Sequence, residues 1–447
     1  MNTVLIKNVH IVNEGKILKG DVLVEGDRIS EVSESISAKS GDTKIIDGDG
    51  CYLLPGMIDD QVHFREPGLT HKATIETESK AAVAGGITTF IEMPNTVPQA
   101  TTIELLEAKF DRAAETSWVN YSFMFGGTND NLEEILKVDE TKVAGLKLFL
   151  GSSTGNMLVD DPEVLEEIFS KTNLLISVHC EDEATIQSNL KKFQTEYGDD
   201  IPMSFHPVIR SEEACYLSSS RAIELAKKTG ARLHVFHLST AKETALFSKK
   251  KKLADKKITA EVCVHHLWFT NEDYAEKGSK IKWNPAVKTQ KDKDGLWKAL
   301  LEDRIDVIAT DHAPHTLEEK SNVYTKAPSG GPLVQHAMVA LLEMYHRGVI
   351  SLEKIVEKTA HNPAILFDIK DRGYIRKGYK ADLVIVDLNA PWTVNSENIL
   401  YKCGWSPFEG TNFTSRITHT LVNGQVAYEH LKFPNRTYGE RLTFNRG

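Results

Sequence analysis

Cysteine is scarce in this chain: Cys51, Cys180, Cys215, Cys263 and Cys403 are the five in 447 residues, with no paired spacing. An odd, dispersed set excludes a disulfide framework and a cysteine-based zinc module, and it fits a protein kept reduced in the cytoplasm. Positive charge is also short. Lys and Arg number 53 against 63 Asp and Glu, a formal net charge of −10, which argues against nucleic acid or an anionic membrane as the main partner. The one basic cluster, Lys249 to Lys252 with Lys256 and Lys257, reads as the solvated end of a helix following Lys242. Long apolar runs are missing. The N-terminus, TVLIKNVHIVNEGKI, alternates like a strand and reads neither as a signal peptide nor as a membrane span. Internal repeats and low-complexity tracts are absent too. What remains, 41% hydrophobic and 26% charged residues, describes a globular protein long enough for a large core and a second, smaller module.

The two ends share a β texture. Val4 to Val12, Asp21 to Glu25 and Arg28 to Val32 alternate, separated by Asn13-Glu14-Gly15 and Glu25-Gly26-Asp27. Near the C-terminus come ADLVIVDL and ITHTLVNGQVAY, the latter with an Asn423-Gly424 hairpin signal. The two ends, 1–54 and 371–447, are expected to pair into one small β-sandwich domain. Between them, over 55–370, strands and helices alternate. Apolar runs near 57–63, 87–93, 118–124, 143–149, 174–179, 232–237, 258–263 and 305–310 read as strands. Amphipathic segments near 74–84, 102–114, 162–171, 212–228, 240–254, 292–302 and 333–346 read as helices. Eight strands separated by helices predict an α/β (β/α)8 TIM barrel, with catalytic groups at the strands' C-terminal ends.

Ligand-type residues recur at those ends. IATDHAPHT carries Asp311 and His315, and PGMIDDQVHFREPG carries His63 and Arg65. MPNTVP holds Asn95, ISVHCED His179 and LHVFHLST His237, and the seventh strand leads to His265 and His266. Any one histidine is best explained as a surface or hydrogen-bonded residue. The repetition of the same end-of-strand position is not, because burying such groups is costly unless a metal or an anion satisfies them. Lys147 lies inside the apolar strand GLKLFL. Either it reaches solvent from the strand end, or burial depresses its pKa and the neutral amine takes up carbon dioxide. The resulting carbamate is an anionic oxygen ligand able to bridge metals. His179 and His237 would add imidazole nitrogens, and Asp311 could bind metal and move a proton.

PGMIDDQVHFREPG, GGITTFIEMPNTVP, GLKLFLGSSTG, ISVHCED, HVFHLST, EVCVHHL, KWNPAVK, IATDHAPHT and GYKADLVIVD span almost the whole chain. Together they resemble the dihydroorotases of the amidohydrolase superfamily, and the arginine two residues after His63 is the specific part. The resemblance implies a zinc-dependent hydrolase with one or two ions per chain and an N6-carboxylated Lys147. His63, Lys147, His179, His237 and Asp311 would be the metal ligands. Arg65, Asn95 and His315 would hold a substrate carboxylate, and Asn284 the ring amide. Asp311 would be the catalytic acid and base for the reversible cyclisation of N-carbamoyl-aspartate to dihydroorotate, by metal-activated water, in pyrimidine synthesis. The partner would be a small molecule; family habit adds a homo-oligomer.

The family's strand-one motif is His-x-His, and here Gln61 stands at its first position. Glutamine is a weak neutral ligand, so one firm zinc is expected at Lys147, His179 and His237, with a weaker or absent first metal. The substitution keeps a non-catalytic partner of aspartate transcarbamoylase in view. Allantoinase or dihydropyrimidinase is a further alternative, in which Arg65 would have no anion to meet. Two long loops, GSSTGNMLVDDP and TLEEKSNVYTKAPSGGP, lie nearest the site. The pair Gly330-Gly331 permits either a hinge or a rigid turn.

Overall fold

The computed structural model describes residues 3–38, 41, 43–151, 157–250, 252–434, 436 and 439–446. The N-terminal part gives β1 (Thr3–Asn13), β2 (Lys16–Glu25), β3 (Arg28–Ser33), β4 (Lys44–Asp47) and β5 (Tyr52–Pro55). Eight strands follow, alternating with helices and turns: β6 (Met57–Val62), β7 (Ile87–Glu92), β8 (Asn120–Gly126), β9 (Gly145–Phe149), β10 (Ile176–His179), β11 (Leu233–Val235), β12 (Ile258–Cys263) and β13 (Val307–Ala309). The C-terminal part adds β14 (Leu383–Asp387), β15 (Trp392–Thr393), β16 (Asn412–Phe413), β17 (Arg416–Val422) and β18 (Gln425–Glu429).

β6 to β13 form a parallel sheet in sequence order. The ring closes between its last and first members: Val62 bridges His312, and the His63 amide donates to the His312 carbonyl at 2.7 Å. Thr310 secures the seam, its amide donating to Asp59 Oδ1 at 3.0 Å. Every residue of β6, β7, β8 and β9 is buried, as expected of barrel strands covered outside by helices and filled inside by side chains. The lower interior is apolar. Ile58, Ile91, Met93, Met124, Phe236 and Val307 meet a floor of Phe367, Ile369, Leu442 and Phe444. Each large side chain buried there contributes roughly 1.5–3 kcal/mol. Polar layers lie above it.

The terminal strands form one sheet, in the order β18-β17-β14-β5-β1-β2-β3 with β4 also on β1. One core draws on all eight strands, including Val4, Val24, Ile29, Ile46, Leu53, Leu383, Leu421 and Val426, while Val12, Leu54, Val384 and Ile417 pack into the barrel's own cluster. Asp382 fastens sheet to barrel. It accepts from Asn120 Nδ2 at 3.1 Å and from the Asn423 amide at 2.9 Å, and pairs with Arg372.

Capping explains several helix starts. Thr74 and Thr77 form a reciprocal capping box on Ile75–Ala84, and Asp161 caps Pro162–Lys171 with proline in the first turn. Two expectations need correction. Among its described residues, the span 240–254 holds the short 3-10 turn Glu243–Leu246 and the start of a second, Leu253–Asp255. Lys252 would repel Lys249 and Lys256 at helical i,i+3 and i,i+4 spacing, and Glu243 is drawn into a buried pocket by Ser219 Oγ at 2.6 Å and Thr240 Oγ1 at 2.9 Å. Conversely, Glu183–Tyr197 is a helix capped by Asp182, though its Ile186, Leu190, Phe193 and Tyr197 already carry helical spacing. Of the first long loop, residues 152–156 lie outside the described residues.

Candidate active site

A cavity of about 430 Å³ opens at the C-terminal ends of the barrel strands. His63, Arg65, Asn95, Lys147, His179, His237, Asn284, Asp311 and His315 all line it, with Gln61 beside them. His265 and His266 do not. The chain turns into the helix Val264–Trp268 after β12, and His265 stacks behind Trp283 with ring centroids 4.3 Å apart.

Lys147 is 1% exposed. No hydrogen bond reaches its Nζ among the described residues, which lies over the rings of Phe236 at 4.2 Å and Phe149 at 4.8 Å. Burial pushes the amine down to about 7, against the pull of Glu261 and Asp311. Much of it is therefore uncharged at neutral pH, the form that reacts with carbon dioxide. His179 Nδ1 and His237 Nε2 stand 3.0 Å apart, close to the ~3.3 Å separating two nitrogens on one tetrahedral zinc. His179 Nε2 faces Glu181 Oε2 at 3.0 Å, which reserves Nδ1 for a metal. Burial opposes ionisation of Glu181, but Arg210 outweighs it and holds the carboxyl well below the usual range. The His237 amide donates to Glu261 Oε1 at 3.0 Å. Burial lowers both imidazoles, that of His237 strongly, so both offer lone pairs. This amine and these two rings fit a single metal.

Across the mouth, His63 Nε2 lies 3.3 Å from Asp311 Oδ1, and His63 Nδ1 contacts Asn95 Oδ1 at 2.8 Å. An amide oxygen only accepts, so Nδ1 carries the proton and Nε2 is free to bind a cation. Gln61 Oε1 turns toward Cys263 Sγ, 3.7 Å away. Trp283 Nε1 donates to the Asp311 carbonyl at 3.2 Å. Arg65, His237 and Asp311 all have positive φ, at 68°, 38° and 48°. Left-handed backbone at non-glycine residues costs about 1–3 kcal/mol each and concentrates at functional sites.

The opposite wall is cationic. Arg65 Nε donates to the Pro314 carbonyl at 3.0 Å, and its Nη2 lies 3.0 Å from His315 Nε2. Burial, with Arg65 and Lys72 nearby, keeps His315 neutral. Lys72 went unnoticed in the sequence; its Nζ sits 2.9 Å from His315 Nδ1 and 2.9 Å from Glu319 Oε1. Nothing in GLTHKATIE marks it. Asn284 Oδ1 is buried without a hydrogen-bond partner among the described residues. The second loop lines the cavity through Pro328, Ser329 and Gly330. Its glycines serve close packing: a Cβ on Gly330 would lie 2.4 Å from the Ala313 carbonyl, and one on Gly331 2.6 Å from Trp283. Lys320 Nζ pins the loop, donating to the Pro328 and Gly330 carbonyls at 2.8 Å each.

The chain is 37% identical to a dihydroorotase of Carboxydothermus hydrogenoformans over 96% of this chain and 98% of that one. It is 34% identical to a dihydroorotase of Staphylococcus epidermidis over 96% of this chain and all of that one. An L-hydantoinase (dihydropyrimidinase) from Arthrobacter aurescens superposes with a TM-score of 0.93 at 28% identity, covering 99% of this chain and 100% of that chain. Residues 52–427 match the amidohydrolase family profile, and with full-length relatives above 30% identity the chain belongs to the amidohydrolase family.

Proposed function

We propose that this chain is a dihydroorotase, catalysing the reversible cyclisation of N-carbamoyl-L-aspartate to L-dihydroorotate in the pyrimidine pathway of a reducing cytoplasm. The observation that carries this reading is Arg65. A buried guanidinium, beside His315 and Lys72, faces the same cavity as Lys147, His179 and His237. A hydrolase of neutral cyclic amides has no use for such a cation, whereas a ring carboxylate pairs with it through charge-assisted hydrogen bonds. Dihydroorotase-named relatives at 34–37% identity support the same reading.

In the ring-opening direction Arg65 and His315 hold the ring carboxylate, with Asn95 on the same wall. The unpartnered Asn284 Oδ1 accepts the ring N–H. A metal held by carboxylated Lys147, His179 and His237, zinc by the character of these ligands, would polarise the amide carbonyl and lower the pKa of water to about 7. Asp311 accepts the proton of the attacking water. It passes that proton to the ring nitrogen as the amide C–N bond breaks, leaving the ureido group of the product. His63, its tautomer fixed by Asn95, turns the Nε2 lone pair toward Asp311 Oδ1, where the two could share a second cation. Gln61, a neutral oxygen ligand already turned to Cys263, makes the position shared with His63 and Asp311 the weaker one.

The structural likeness to an L-hydantoinase favours a second reading, a cyclic amidase for uncarboxylated rings. Turnover of dihydroorotate, hydantoin and dihydrouracil by purified, zinc-supplemented protein separates them. Ring opening of dihydroorotate with the highest kcat/KM supports the proposal. Preference for an uncarboxylated ring replaces it with the amidase reading, and inactivity on all three points to a non-catalytic scaffold.

A further inference from the structure

Between the catalytic groups and the apolar floor lies a charged layer that the chemistry above does not use. Asp60 on β6, His234 at β11 and Glu261 on β12 are each 0% exposed. His234 Nε2 stands 3.3 Å from Asp60 Oδ2 and 3.9 Å from Glu261 Oε2. Phe236 and Phe367 pack against the His234 ring. Neighbouring Asp59 is separately accounted for, held by the Thr310 hydroxyl at 2.6 Å and amide at 3.0 Å.

The tautomer of His234 is fixed by its surroundings. With the Thr259 Oγ1 proton given to the Leu233 carbonyl at 3.2 Å, the ring donates across the 2.8 Å contact between His234 Nδ1 and Thr259 Oγ1. Nε2 then carries a lone pair, directed at two carboxylates. Neither oxygen of Asp60, nor Glu261 Oε2, nor His234 Nε2 has a hydrogen-bond partner among the described residues. A lone pair facing two buried carboxyls is relieved either by a proton on Glu261, whose carboxyl burial and Asp60 push well above the usual range, or by a cation between them. One divalent ion neutralises both carboxylates. Ligand atoms 2.0–2.2 Å from a tetrahedral zinc stand ~3.3–3.6 Å apart, near the separations observed.

We propose that Asp60, His234 and Glu261 bind a divalent transition-metal ion, of zinc type, enclosed beneath the catalytic centre. The ion is structural. It ties β6, β11 and β12 together inside the barrel, and through Glu261 it braces the His237 amide. No ligand of this set is exposed, so the ion exchanges far more slowly than one at the open mouth.

The test removes the catalytic metal first. A His179→Asn, His237→Asn double variant is loaded with zinc, treated with a chelating resin, and its zinc measured by mass spectrometry. One equivalent per chain is expected to remain, with an X-ray absorption first shell of oxygen and one imidazole. Adding Asp60→Asn or His234→Gln is expected to remove it. If those additions prevent folding, anomalous diffraction from wild-type crystals at the zinc edge decides, by a peak among the three side chains. A double variant that retains no zinc, zinc retained equally after Asp60→Asn and His234→Gln, or a wild-type map without that peak overturns the proposal.

Discussion

Replacing Arg65 with Met removes the guanidinium while keeping an unbranched side chain, so the positive φ at this position costs the variant no more than the wild type. Two charge-assisted hydrogen bonds to a substrate carboxylate, at about 1.5–3 kcal/mol each, are lost. That is about 3–6 kcal/mol, or roughly 10²–10⁴-fold in kcat/KM for dihydroorotate. Most of it is expected in KM, because the carboxylate is bound alike in substrate and transition state. The Pro314 carbonyl also loses its 3.0 Å donor, so folding stability is expected to fall by about 1–3 kcal/mol. The assay follows ring opening of dihydroorotate and of dihydrouracil, with urea unfolding as the control. Arg65→Lys keeps the charge and loses the fork, and is expected to fall between. A dihydroorotate kcat/KM within about threefold of wild type, or an equal loss on dihydrouracil, would refute the carboxylate role.

Four further outcomes are expected. Wild-type protein purified without added zinc should exceed the His179→Asn, His237→Asn variant by one equivalent of zinc; a difference of two would mean that Gln61 does not weaken the first position. Glu181→Gln strips Arg210 of its buried partner, costing about 3–5 kcal/mol in urea unfolding, and weakens zinc binding at His179 by about 10–100-fold in equilibrium titration; unchanged affinity would remove Glu181 from any positioning role. In metal-free protein the Lys147 amine, pushed down to about 7 from 10.5, binds fewer protons than in the unfolded chain between those values. Stability from this group therefore rises with pH across that window, by at most about 1.4 kcal/mol per unit, and is flat below it; unfolding curves of wild type and Lys147→Met with equal pH slopes would refute the shift. Gly331→Ala sets a Cβ 2.6 Å from Trp283, and is expected to cost about 1–3 kcal/mol of stability and to lower kcat through Trp283's bond to the Asp311 carbonyl.

The barrel was legible because its eight strands are short apolar runs, most of which carry or end in ligand-type residues, and convergence of strand ends explains that repetition. Lys147 was legible for the same reason, as a charge inside GLKLFL. What escaped depended on direction rather than residue type. His265 and His266 belong to the right strand, yet the turn into Val264–Trp268 carries them behind Trp283. Asp60 lies two residues from the interior Ile58 but next to the cavity-lining Gln61, and the pairing of β6 with β7 is irregular between Asp59 and Val62, so simple alternation does not assign its side. Lys72 and Arg210 reach their partners from segments outside the barrel strands, so nothing in strand periodicity marks them. The misjudged helix over 240–254 had suitable spacing, but like-charge repulsion and a buried Glu243 prevailed.

The terminal sheet, built from both ends of the sequence, constrains how the chain is made. β5 pairs with β14, Leu53 opposite Ile385, so the first strands leave the ribosome well before the edge they need. At 5–20 residues per second that wait lasts on the order of tens of seconds. Throughout it β1, β2 and β5 display Val4, Ile6, Val9, Val24 and Leu53 without their final cover. Nascent chains of this protein are thus a natural client for a holding chaperone, and shortening synthesis time is expected to raise soluble yield more than slowing it.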